Sequence, residues 1–331
     1  MTKQHSFASQ SARQSFRGLS FLSRFLRRGV DVQVEPLLSE SQIKALAACL
    51  HLDHQKDPAM YTRHLYAGAQ QSPHHGEGMD FLENRSYQPG DNPRQINWRL
   101  SARLGHLHSK VFEEEKQSQT ILVVDRRPSM WFGTCKQLKV RQAVNSAVLF
   151  MFAAVLRHHA FASVPIDQSY SAGEFHTGDA SALLEARQLA RTDNRAALDA
   201  SCVSLADGLQ FVQQAYPAGN NIIIISDFAD IDPTISSVMS ALAFHNSVAA
   251  VYITDPADVE LPQAGSIDIV CSLSGETTAI DTADPVLREH YRILGEQKQS
   301  EVVQALAGSG VTSVRLDTSQ DPWPVLRGLL Q

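Results

Sequence analysis

Two apolar strand-like runs end in an acid. Thr120-Ile121-Leu122-Val123-Val124 leads into Asp125, and Asn221-Ile222-Ile223-Ile224-Ile225 leads into Ser226 and Asp227. Arg127 and Ser129 follow the first acid closely. Open parallel sheets carry their working loops at the carboxyl ends of the strands, so Asp125, Arg127, Ser129 and Asp227 form the first candidate site. Two carboxylates and a hydroxyl could hold a hard cation, whereas a guanidinium among them could neutralise the acids directly. The plain alternative is that the acids are loop residues or helix caps. A second constellation is rich in arginine: Arg85, Arg94, Arg99 and Arg103, with Asp80, Glu83, Asp91 and Trp98 among them. It reads either as a docking face for an acidic partner or phosphate, or as an internal ion-pair network that pins this segment to the rest of the chain. Ile96 and Trp98 beside it suggest partial burial.

Other chemistry finds little support. The thirteen histidines include the close pairs His51/His54, His74/His75, His106/His108 and His158/His159, but no third ligand follows at a zinc-site spacing. Gly76-Glu77-Gly78 is not a phosphate loop, because no strand precedes it and no Gly-Lys-Ser/Thr follows. No Gly-x-Ser-x-Gly elbow is present, and no histidine near Ser129 stands in a motif that would activate it. The four cysteines, Cys49, Cys135, Cys202 and Cys271, are far apart and read as buried, reduced thiols in a cytosolic protein.

The chain must position these residues with a sizeable core. Its 331 residues suggest about two domains, and 43% are apolar. With 29 Lys plus Arg against 35 Asp plus Glu, the net charge is −6, which gives no support for general nucleic-acid binding. Residues 1–36 read as a basic, poorly ordered tail, with Lys3, Arg13, Arg17, Arg24, Arg27 and Arg28 and no acid through Val30. Phe21, Leu22, Phe25 and Leu26 beside those arginines raise a weak membrane-surface contact as an alternative. No run of about 18 apolar residues is present, so no transmembrane helix is expected, and the longest run, Ala147 to Leu156, reads as a buried helix.

Beyond the tail, the spacing of Ile43, Leu46 and Leu50 predicts a short helix over 40–50. Residues 67–78 read as a loop, and Pro89-Gly90 suits the centre of a type II turn. A helix carrying Arg99 and Arg103 on one face would be capped by Asn92 and stopped at Gly105. From Gln119 onward, apolar strands alternate with helices: strands at 120–125, 161–166, 221–225, 248–253 and 311–316, and helices near 136–158, 181–190, 203–215, 232–244, 285–306 and 323–330. That alternation predicts an α/β fold with a parallel sheet covered on both faces. Residues 267–281 read as a hairpin around Ser274-Gly275-Glu276.

The segment from Gly76 to Glu115 holds Phe81, Arg85-x-Tyr87-x-Pro89-Gly90-Asp91, Arg94-x-Ile96-x-Trp98, Ala102-Arg103 and Phe112-Glu113-Glu114. With Asp125, Ser129-Met130, Phe132-Gly133-Thr134, Ser226-Asp227-Phe228, Thr254-Asp255-Pro256 and Ser274-Gly275-Glu276, it resembles the bacterial domain of unknown function 58 family over about residues 70–331. The resemblance implies a Rossmann-like, von Willebrand factor type A-like domain over 119–331, with the family-signature segment 37–118 packing on it. It also implies a partner, a MoxR-type AAA+ ATPase with which the chain would work as an adaptor or chaperone module; with the cysteine reading, the expectation is a cytoplasmic, non-enzymatic adaptor in assembly or remodelling of a client protein.

Type A domains often hold Mg2+ on an Asp-x-Ser-x-Ser loop, with a Thr and an Asp from later loops. Asp125, Ser129 and Asp227 match that pattern here; Arg127 stands where the first Ser would be, and Ser204 is the nearest hydroxyl where the Thr would be. A guanidinium ~5 Å from a divalent ion at an effective dielectric near 20 would cost about 6–7 kcal/mol. The expectation is therefore a degenerate metal site with no cofactor, in which Arg127 pairs with Asp125 or Asp227, or points outward to an acidic partner. Mg2+ at Asp125, Ser129 and Asp227 is the alternative. The rival functions are a metal-dependent phosphohydrolase using Asp125 and Asp227, and a peripheral membrane scaffold recruited by the tail.

Overall fold

The computed structural model describes residues 36–56, 80–88, 92–113, 119–192, 203–270 and 277–330. The tail, the 67–78 loop, the Pro89-Gly90-Asp91 turn and the 274–276 turn lie outside the described residues. The chain divides into two compact units, one of residues 1–67 and 119–331, the other of residues 68–118.

The larger unit is organised by five parallel strands: β3 (Gln119–Asp125), β4 (Ala160–Ile166), β5 (Asn220–Ser226), β6 (Ser247–Thr254) and β9 (Thr312–Asp317). Their order across the sheet is β4-β3-β5-β6-β9. The chain starts in β3, steps to one side into β4, then crosses back to β5 and continues the other way. The direction therefore switches between β3 and β5, which opens a crevice beyond their carboxyl ends.

Side chains alternate strictly between the two faces of this sheet. Leu122, Val124, Ile223, Ile225, Ala249, Val251 and Ile253 enter one core, and Ile121, Val123, Ile222, Ile224, Val248 and Ala250 enter the other. Because both faces are covered, these strands read as unbroken apolar runs. Each fully buried Leu, Ile or Val contributes roughly 1.5–3 kcal/mol.

The first face is covered by α3 (Lys139–Leu156), over which α1 (Glu40–Lys56) and α4 (Gly178–Leu189) pack; α8 (Pro322–Leu326) also touches α3. This second layer explains why α3 is apolar all round. It is the one described helix long and apolar enough to cross a membrane, yet 83% of it is buried inside this protein. The other face is covered by α5 (Leu205–Ala215), α6 (Pro233–His245) and α7 (Pro285–Gly308). The predicted hairpin forms as antiparallel strands β7 (Ser266–Val270) and β8 (Thr277–Asp281). The expected burial of the cysteines fails for Cys49 and Cys135, which are exposed, and Cys202 and Cys271 lie outside the described residues.

The smaller unit contains two antiparallel strands that sequence reading did not predict, β1 (Asp80–Ser86) and β2 (His108–Glu113). Between them run a 3-10 turn at Pro93–Gln95 and helix α2 (Trp98–Leu104). Asn92 caps the 3-10 turn, not the helix; the cap of α2 is Asn97, whose Oδ1 accepts from the Leu100 N–H. Gly105 ends α2 as expected, in the left-handed conformation with φ 78°. Ile96 is buried, but Trp98 is 64% exposed, so the expected burial holds for only one of the two.

Gly295 in α7 permits a close approach. A Cβ there would lie 2.5 Å from the Asp258 carbonyl oxygen and 2.8 Å from the Val259 Cα, both backbone atoms that cannot swing aside. Gly295→Ala is therefore expected to destabilise the fold by roughly 1–3 kcal/mol, measured as a shift in the urea midpoint. Wild-type stability in this variant would show that α7 does not press on the Asp258 loop.

Candidate functional site

Asp125 is the last residue of β3, at the switch point, and is 1% exposed. Its two oxygens accept four hydrogen bonds. Oδ1 accepts from the Arg127 backbone N–H at 3.0 Å and from Arg127 Nε at 3.0 Å. Oδ2 accepts from Arg127 Nη2 at 2.9 Å and from Ser226 Oγ, at the end of β5, at 2.6 Å. A carboxylate offers about four lone-pair directions, so that of Asp125 is filled.

Arg127 turns inward and is itself buried. Its Nη1 and Nη2 reach Asp230 at 2.5 and 2.9 Å, so one guanidinium clamps two acids. Burial acts against its charge, but Asp125 and Asp230 more than offset it and keep Arg127 protonated. Asp230 is also pushed up by burial, yet its hydrogen bonds from Arg127 hold it below the usual carboxylate range. The Leu205 N–H at the start of α5 also points to Asp230, at 3.5 Å. Ser204 caps that helix by accepting from the Asp207 N–H, so its hydroxyl is used locally.

A second clamp lies beside the first. Lys139 is the first residue of α3, a poor place for a cation because the helix dipole is positive there. Its ammonium is buried between Asp258 at 2.7 Å and Asp227 at 3.5 Å. Burial would lower its pKa, but those two carboxylates raise it above the ordinary lysine value. Asp227 also accepts from Ser129 Oγ at 3.2 Å and from the Ala229 N–H at 3.2 Å. Burial pushes its carboxyl up, Lys139 opposes this, and Asp125 adds repulsion; the net result lies above the usual range.

The loop after β5 needs an unusual backbone. Phe228 is fully buried with φ 47°, a conformation that costs a non-glycine residue roughly 1–2 kcal/mol. Its N–H donates to Ser226 Oγ, which also serves Asp125. The left-handed turn lies between Asp227 and Asp230, which serve the two clamps. Asp255, beyond β6, ties neighbouring loops together. Its carboxylate accepts from the N–H and Oγ of Thr134, from Thr318 Oγ and from the Ala257 N–H. Burial raises its pKa, but the Thr134 and Thr318 donors outweigh that and leave it below the usual range.

The structure thus brings Asp125, Arg127, Ser129 and Asp227 to one sheet edge, and adds Ser226, Asp230, Lys139, Asp255 and Asp258, which sequence reading missed as site residues. Two signals were available: a lysine opening an apolar helix implies nearby acids, and Asp255-Pro256-x-Asp258 has the spacing of a capping box, which forms here. Among the described residues, no three of His, Cys, Asp or Glu converge where a metal ion could sit. Arg85, Arg94, Trp98 and Arg103 belong to the smaller unit, and Asp91 lies outside the described residues. Arg94, Arg99 and Arg103 are exposed and form no ion pair among the described residues.

Two variants probe the clamps. Arg127→Met strips a buried acid of its partner and is expected to cost roughly 3–5 kcal/mol, much of it regained in Asp125→Asn/Arg127→Met. Urea unfolding of both checks this, and equal losses would argue against the pair. Asp255→Asn is expected to cost roughly 1–3 kcal/mol at pH 7. Because the folded-state pKa of Asp255 is depressed, its contribution is present above the unfolded value near ~3.9 and is lost as pH falls through the folded one. Asp227 has the opposite sign: its contribution is present below the unfolded value and is lost as pH rises through the folded one. The gap between wild type and Asp255→Asn should therefore narrow in acid, as read by urea midpoints at pH 7 and pH 3.

An uncharacterized protein of Mycobacterium tuberculosis is 26% identical over 257 residues, covering 74% of this chain and 77% of the relative. A Mycobacterium bovis protein, also described as uncharacterized, matches to the same extent. Among solved structures, an aerotolerance-related membrane protein from Bacteroides fragilis aligns over 64% of this chain and 98% of its own, with 11% identity and a TM-score of 0.43. A membrane-spanning protein from Vibrio fischeri aligns over 61% of this chain and 90% of its own, with 15% identity and a TM-score of 0.21. The family pattern matches residues 83–301, a stretch that includes both clamps, and the chain therefore belongs to the DUF58 family, described as proteins of unknown function.

Proposed function

We propose that this chain is a non-enzymatic, cytoplasmic adaptor whose type A-like domain grips another polypeptide at the switch-point edge, with built-in cations in place of a divalent ion. The observation that carries the reading is the saturation of Asp125 by Arg127 and Ser226. A metal would need lone pairs already used, and it would sit against a fixed guanidinium. Ser129 donates to Asp227 and Lys139 also approaches it, so the residues do not fit Mg2+ well. The same engagement argues against a phosphohydrolase built on Asp125 and Asp227.

The geometry also sets the chemistry of the contact. Both cations are buried and face inward, whereas the side chains of Asp230 and Asp258 are 39% and 24% exposed. The edge therefore offers carboxylates, and the matching partner element carries Lys or Arg; of the alternatives the sequence left open, Arg127 takes the pairing with Asp125 and not the outward position that would have called for an acidic partner. In this proposal the partner is a MoxR-type AAA+ ATPase, as the family resemblance implies, and the adaptor links it to a client protein.

The test is direct binding of the purified full chain to a purified MoxR-type ATPase from the same cell. Wild type should bind, and Asp230→Asn/Asp258→Asn should weaken binding about tenfold at a temperature where its circular dichroism spectrum shows it folded, although losing these acids also loosens the buried clamps and lowers the melting temperature. No binding by wild type, or equal binding by both, would overturn the assignment. Mg2+-dependent turnover of p-nitrophenyl phosphate, lost in Asp227→Ala, would support the hydrolase instead.

A further inference from the structure

We infer that the outward face of α2, in the smaller unit, is a second docking surface and that it receives an acidic segment of a partner protein carrying an apolar anchor residue. Four observations converge on it. From Asn92 to Lys110 there is no acid, whereas Arg94, Arg99, Arg103 and Lys110 are cationic. Arg94, Arg99 and Arg103 are exposed and without ion pairs among the described residues, so their charge is not spent inside the protein. Beside them Trp98 is 64% exposed, and Leu104 and Leu107 are 49% and 43% exposed. Tryptophan and arginine together are the side chains that most often dominate binding energy at protein interfaces.

The fourth observation is that the helix is held in place. Seven residues are too few for a helix to persist alone in water. Here Asn97 caps its start and also donates through Nδ2 to Asn84 Oδ1 on β1, at 2.9 Å. Ser101, on the inner side, accepts from the His108 N–H of β2 at 2.9 Å through its Oγ. Arg99 and Arg103 lie two positions either side of Ser101, about 200° away around the helix, and so face outward. Neither tether uses the arginines or the tryptophan. A rigid element that presents uncompensated charge and an exposed aromatic ring loses little conformational freedom on binding.

The occupant follows from the mixture. A free phosphate would satisfy the arginines but leave Trp98, Leu104 and Leu107 in water. A nucleic acid would stack on Trp98, but it would approach a chain of net charge −6. An acidic peptide with a leucine or phenylalanine between its carboxylates meets both needs: guanidinium–carboxylate pairs at the rim, and an apolar contact on the indole.

The experiment uses the full chain and fluorescein-labelled twelve-residue peptides of alternating acidic and leucine blocks, with a lysine-leucine counterpart and a twelve-nucleotide oligo-dT of equal length. Fluorescence anisotropy should show saturable binding of the acidic peptide only, weakening steeply as salt is raised. Arg99→Glu/Arg103→Glu should weaken it about tenfold or more. Trp98→Ala should weaken it several-fold, with the circular dichroism spectrum unchanged in each case. Asp230→Asn/Asp258→Asn should leave it unaltered, so that failure of this surface and failure of the switch-point edge are told apart. The inference is overturned if the acidic peptide does not bind, if the arginine variant binds it as wild type does, or if oligo-dT binds more tightly than the peptide.

Discussion

A buried carboxylate at the end of the first strand of the sheet has to be neutralised, and the way this is done shapes the rest of the edge. Asp125 lies where the sheet reverses its direction of growth, with almost no access to water. Leaving such a charge unpaired would cost several kcal/mol. Arg127, two residues further on, folds back to fill both oxygens, and Ser226 from the neighbouring strand completes the shell. The remaining guanidinium donors then fix Asp230, and with it the loop after β5. Lys139 repeats the device with Asp227 and Asp258. The positive end of α3 thus carries a cation where an anion is usual, and the acids facing it make that arrangement tolerable.

These clamps are interlocked through loops distant in sequence. The strained Phe228 turn lies between Asp230 of the first clamp and Asp227 of the second, and Asp255 binds the Thr134 loop to the Thr318 loop. A buried, fully bonded polar network of this kind is rigid because each member's partners are already in place. The carboxylates that remain accessible belong to Asp230 and Asp258. Their positions are set by buried cations and not by the surface, which would suit the partner-gripping role proposed for this edge.

Much of the larger unit was legible from residue pattern because its strands are apolar on both faces. Ile222 to Ile225 and Leu122 to Val124 could hardly be anything but central strands, and Asp232, Asp284 and Asp321 stand where their helices need caps. The smaller unit was less legible. The Asp80–Ser86 strand is short and mixes charge with apolar residues, so it lacks a period of two. Two asparagines precede α2, and pattern alone gave no reason to prefer Asn97 to Asn92. At the site, Asp125, Arg127, Ser129 and Asp227 were visible because they border obvious strands. Asp230 and Lys139 were not, because what gives each its meaning is a partner about a hundred residues away in the chain. The inward turn of Arg127 likewise depends on Asp230, which no local spacing reveals.

Built-in cations occupy at this edge the carboxylate oxygens that a divalent ion would need. Isothermal titration of Mg2+ and of Mn2+ into the purified full chain tests it most directly, with Asp125→Ala alongside. The structure predicts no saturable heat in wild type up to millimolar metal. Micromolar binding at one site, abolished in Asp125→Ala, would contradict it.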